Sequence, residues 1–110
     1  MKIVFWPALD MPALSASVSG EILKINGDEF DFSPISEGMQ LPGEAVGSRW
    51  FPNLPITRIN GELTVTIKLP VSERTAEDVR SPGTPMFVIV EKGFVTLPDT
   101  QSEEVGANGP

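Results

Sequence analysis

The sequence predicts an all-β domain: a small antiparallel sandwich or rolled barrel built from hairpins, with at most one short surface helix. Three observations carry that expectation. Ten Gly and eleven Pro in 110 residues punctuate the chain too often for long helices, since Pro is barred from helix interiors and Gly is costly there. About seven short apolar or alternating runs are separated by turn residues every 8–12 positions or so, the spacing of small sandwiches and barrels. Two of the turns are Asn-Gly, at Asn26-Gly27 and Asn60-Gly61, the dipeptide that suits type I′ hairpins because both central residues need positive φ.

Residues 2–6 are apolar at consecutive positions after Lys2, which reads as a first strand, ended by Pro7, that is buried on both faces or lies in a sandwich core. Residues 14–19 alternate at period two and stop at Gly20. A first hairpin follows, with residues 21–25 returning as Phe30-Asp31-Phe32. A two-residue Asn-Gly loop pairs Ile25 with Asp28 and sets that carboxylate on the apolar face. A four-residue loop pairs Ile25 with Phe30 and Lys24 with Asp31, keeping all apolar side chains on one face, and is preferred for that reason. Residues 33–51, interrupted by Pro34, Gly38, Pro42, Gly43 and Gly47, read as an irregular connection across the sheet edge. Trp50 and Phe51 would plug the open end of the core.

The clearest element is the hairpin of residues 55–59 and 62–70 around Asn60-Gly61. Its two-residue register sets Thr57 opposite Thr64, makes one apolar face of Leu63, Val65, Ile67 and Leu69, and turns Thr64 and Thr66 toward solvent. Residues 71–80 allow one or two helical turns, with Ser72 as cap and Arg80 near the end. Residues 86–90 and 94–97 suggest a last hairpin around Lys92-Gly93. The expected organisation is a single β domain over residues 1–98 and a flexible acidic tail over 99–110.

The composition narrows the chemistry. With no Cys, His or Tyr, disulfides, thiolate metal sites and the commonest general base are all absent. No Gly-x-Ser-x-Gly elbow or Gly-rich phosphate loop is present, so no catalytic residue and no cofactor are expected. Asp28, Glu29 and Asp31 form the densest carboxylate group, but alternation separates them and turn chemistry accounts for them; no metal ligand is assigned. A net charge of −7 with scattered cations argues against nucleic acid. The five-residue apolar start cut by Pro7 is too short for a signal peptide or membrane span. Trp6, Trp50 and Phe51 are the candidate interaction surface, with core packing as the plainer role. A protein partner or self-association is expected, and no small-molecule substrate.

A series of short motifs adds a setting. Met1-Lys2-Ile3-x-Phe5-x-Pro7, Ser17-x-Ser19-Gly20-Glu21, Ile25-Asn26-Gly27-Asp28-Glu29-Phe30-Asp31-Phe32-Ser33, Glu37-Gly38-x-x-Leu41-Pro42-x-x-Ala45-Val46, Trp50 and Arg58-Ile59-Asn60-Gly61-Glu62-Leu63 run in order along residues 1–70. Together they resemble small uncharacterised proteins encoded by tailed bacteriophages and prophages, often near tail or tail-fibre genes. The resemblance implies no activity and no site residues. It implies only a setting, a phage product in the host bacterial cytoplasm or incorporated in the virion. Taken with the lack of catalytic groups, the acidic charge and the many β edges, it leads to the expectation of a phage accessory or structural protein that acts through protein–protein contacts. Two other roles fit the same features: an assembly chaperone for a tail fibre, or a small acidic inhibitor of a host protein.

Overall fold

The computed structural model describes residues 1–75, 77–81, 83–84 and 86–98. Within them run nine strands: β1 (Lys2–Ala8), β2 (Ala16–Ser19), β3 (Ile22–Ile25), β4 (Asp28–Asp31), β5 (Gln40–Pro42), β6 (Pro55–Ile59), β7 (Glu62–Pro70), β8 (Met86–Ile89) and β9 (Lys92–Phe94). A 3-10 turn (Gly43–Val46) and a four-residue helix, α1 (Glu77–Arg80), complete the order. The strands form a large sheet, β5-β6-β7-β1-β8, and a small sheet, β4-β3-β2-β9. One buried cluster draws on both, with Ile3, Phe5, Val65 and Ile67 from the large sheet and Ala16, Val18, Leu23 and Ile25 from the small one. The protein is an all-β sandwich.

It is not wholly antiparallel. β1 pairs parallel with β7 from Lys2 opposite Thr64 to Ala8 opposite Pro70. A parallel pair needs a long crossover, and here β2, β3 and β4 of the small sheet, followed by β5 and β6, intervene between the two strands. Pro7 lies within β1. The Met1 ammonium donates to the Val90 carbonyl and the Val90 N–H to the Met1 carbonyl, both at 2.9 Å, so odd-numbered backbone groups of β1 face β8. β8 pairs only residues Lys2 to Phe5. Among the described residues no strand pairs with Pro7 on that side, so its lack of an N–H costs no ladder bond there. Ile3 and Phe5 are buried while Trp6 is exposed, so of the two expected placements β1 takes the sandwich core, with one face inward, and is not enclosed on both.

The first hairpin adopts the two-residue register, with Ile25 opposite Asp28, Lys24 opposite Glu29 and Leu23 opposite Phe30. Asn26 and Gly27 both take positive φ, 49° and 93°, as a type I′ turn requires. The Asn26 side chain locks the turn to the preceding segment, accepting from the Ser15 N–H at 2.7 Å and donating to the Ala13 carbonyl at 2.9 Å. The feared cost is avoided because Asp28 sits at the rim, exposed, while Leu23, Ile25 and Phe32 stay buried. The second hairpin has its expected register, Thr57 opposite Thr64 and Ile59 opposite Glu62. Its tip is held by Glu37, whose carboxylate accepts from the Asn60 and Gly61 N–H groups at 2.6 and 2.7 Å.

The last hairpin does not form. β8 pairs with β1 in the large sheet and β9 with β2 in the small one, so the chain changes sheets at Glu91, whose carbonyl accepts from the Gly20 N–H. In the irregular stretch, β5 is the sheet edge, and Phe51 packs its ring edge-on against Phe30 and Phe32, centroids 5.0 and 6.0 Å apart. Ser72 does not cap α1; its hydroxyl accepts from the Arg74 N–H in a local turn. The expected tail of residues 99–110 lies outside the described residues.

Candidate interaction surface

The outer face of the large sheet follows from register. Lys2, Val4 and Trp6 stand beside Thr64, Thr66 and Lys68 of β7, and Lys2 and Val4 beside Ile89 and Phe87 of β8. Their alternate neighbours, Ile3, Phe5, Val65 and Ile67, point into the core. Three of the outward side chains are large and apolar, with Trp6 50%, Phe87 51% and Ile89 61% exposed. The Lys2 ammonium lies 4.3 Å from the centre of the Phe87 ring, a cation–π contact. Thr66, expected to face solvent, is only 9% exposed, because the outer face is overhung near β1 and β7.

The overhang makes a cleft of about 670 Å³ whose lining includes Val4, Trp6, Leu54, Pro55, Thr66 and Arg80. Arg80 donates one N–H to the Glu73 carbonyl at 3.1 Å, and α1, which carries it, rests on β1.

The sheet edges differ in how they meet water. An open edge is a template for pairing unless charge, Pro or shortness blunts it. β5 is three residues ending in Pro42, and β9 is three residues around Gly93. β4 carries Asp28, Glu29 and Asp31. β8 is four residues, Met86–Ile89, without a charge. Since Val90 turns both backbone groups to Met1, alternation turns those of Phe87 and Ile89 away from the sheet.

The three aromatics singled out from sequence are not brought together. Trp50 and Phe51 are buried in the core, the Trp50 carbonyl accepting from the Lys68 N–H at 2.8 Å; they cannot form a surface in this fold. Trp6 alone reaches the outer face. The sequence reading missed Phe87 and Ile89, because residues 86–90 are apolar at every position and show no polar phase to separate an inner from an outer face. Asp28, Glu29 and Asp31 are exposed along β4, and among the described residues no three acidic side chains converge on a metal-sized site. Asp31 accepts from the Ser33 N–H at 2.9 Å, which holds its carboxyl below its ordinary value of 3.8. Among the described residues no helix is long and apolar enough to cross a membrane. No family model, curated protein or solved structure matches this chain.

Proposed function

We propose that this protein is a non-enzymatic interaction module whose partner is another polypeptide, taken up as an added strand along β8. The observation that carries the reading is the uncharged β8 edge, its outward backbone groups flanked by the exposed Phe87 and Ile89 side chains. Main-chain hydrogen bonds would supply affinity and the two side chains would supply specificity. The net charge of −7 disfavours DNA, since phosphate affinity comes mainly from clustered cations. The resemblance of residues 1–70 supplies the setting, an accessory or structural protein of a tailed phage, made in the host cytoplasm.

Association is the test. Light scattering of the pure protein and co-purification from infected cells are compared for wild type and Ile89→Lys, which places a charge on the open edge without touching the core. The expected result is a complex that the substitution abolishes while the melting temperature holds, and no gel shift of duplex DNA at physiological salt. A monomer recovering no protein, or a complex indifferent to Ile89→Lys, overturns the reading. Mass spectrometry of purified particles separates a virion component from an assembly chaperone that departs.

A further inference from the structure

The cleft beside Trp6 has a charge bias opposite to that of the whole molecule. The chain holds fifteen carboxylates against eight cations, yet none of those carboxylates is among the described residues lining the cleft, and Arg80 is. Lys68 stands beside Trp6 across the β1–β7 ladder, on the same outer face. Among the described residues neither cation meets a carboxylate, and the recorded bond from the Arg80 side chain, to the Glu73 carbonyl, uses one of five guanidinium donors. Thr66 brings a hydroxyl to the floor. The remaining lining is apolar, with an indole along one side. A volume of about 670 Å³ falls within the roughly 300–1,000 Å³ of small-ligand sites, which combine apolar walls with a few placed polar groups.

We infer that this cleft binds a small monocarboxylate with an apolar body. The body lies against Trp6, Val4, Leu54 and Pro55, and the carboxylate meets Arg80, with Lys68 adding attraction from the sheet. Guanidinium is suited to the task because its planar fork matches a carboxylate with two parallel hydrogen bonds. The described lining offers no nucleophile paired with a base, so the ligand is held and not converted. The site does not involve the β8 edge and stands or falls separately from it.

Decanoate and decanol are the probes, with the same chain and different head groups. The ¹⁵N-labelled protein is titrated with each while the two indole N–H signals are followed, Trp6 being assigned from Trp6→Phe. Decanoate should shift the Trp6 signal saturably and leave that of the buried Trp50 in place. Loss of a charge-assisted hydrogen bond should weaken binding by roughly tenfold or more, both for decanol on the wild type and for decanoate on Arg80→Ala. Arg80→Lys should fall between. The comparison of head groups needs no variant, so it decides the matter even if Arg80→Ala fails to fold. Equal affinity for the two probes, decanoate binding unchanged by Arg80→Ala, or no saturable shift at Trp6 would overturn the inference.

Discussion

Gly43 lies where two stretches of backbone cross. It is buried, its N–H donates to the Leu54 carbonyl at 3.0 Å, and a β-carbon on it would run into the carbonyl oxygens of Pro52 and Leu54. Those atoms belong to main chain and cannot rotate aside. Gly43→Ala is therefore expected to cost about 1–3 kcal/mol, the range for overpacking a well-filled site, read as a lower urea midpoint at unchanged slope. Gly47→Ala provides the contrast, with open space around its missing side chain but a φ of 78°; it should lose less. Asp31 makes a different prediction. Its carboxyl is depressed below 3.8 by the Ser33 N–H, so the folded state binds that proton more weakly than the unfolded state does. The stabilisation is thus present above pH 3.8 and lost as pH falls through the lower folded value. A carboxyl titration by NMR should give a midpoint below 3.8, and the difference in melting temperature between wild type and Asp31→Asn should close on acidification. A midpoint at or above 3.8 would contradict the assignment.

At the scale of elements, β7 tests the sandwich. Val65 is fully buried opposite Ile3, and Val65→Asp would place an unpaired charge in the core, a penalty of several kcal/mol against a total stability of roughly 5–15 kcal/mol. Chemical denaturation should find it unfolded. Thr64→Asp should be tolerated, since Thr64 lies on the outer face with Lys2 directly across the ladder. Thr66→Lys should be costlier than Thr64→Asp, because Thr66 is nearly enclosed at the floor of the cleft; alternation told which side it faces and not that the side is covered. The second hairpin was legible because strict alternation and Asn60-Gly61 agree on one register. The first was not, because Asn26-Gly27 favours a two-residue loop while the carboxylate of Asp28, set on the apolar face by that loop, counts against it. The turn backbone and the Asn26 side chain chose between the two registers.

Across the whole molecule, Arg58 joins the two sheets. It sits on β6 of the large sheet, pairs through a terminal nitrogen with Glu21 at the β2–β3 turn of the small sheet, and donates from Nε to the Ile35 carbonyl at 2.5 Å. The Arg58 side chain is 16% exposed and that of Glu21 43%. Removing the more enclosed partner orphans both a carboxylate and a carbonyl, whereas removing Glu21 leaves Arg58 its bond to Ile35. Arg58→Met should therefore cost about 1–3 kcal/mol, the cost of leaving a polar group unsatisfied, and Glu21→Gln clearly less. Urea midpoints that coincide for the two variants would remove Arg58 as the inter-sheet clamp.

The sequence by itself determined where β1, β3, β6 and β7 lie, where the two Asn-Gly turns fall, and which side chains of β3 and β7 face inward, because those properties follow from local chemistry: Pro and Gly at the breaks, Asn-Gly at the tips, period-two alternation along the runs. β5 and β9 were not legible, and the turn expected at Lys92-Gly93 lies within β9. Strand partners and directions were decided by tertiary structure. Backbone N–H and C=O groups are the same at every residue, so the pairing of β1 with β7, and its parallel sense, carry no local signature. The same holds for β8 and β9, whose short separation looks like a hairpin but spans two sheets. The candidate surface inherits that difficulty. Trp6 could be suspected from its residue type alone, but Phe87 and Ile89 became an open edge, and Arg80 a cleft cation, only when strands far apart in sequence were laid side by side.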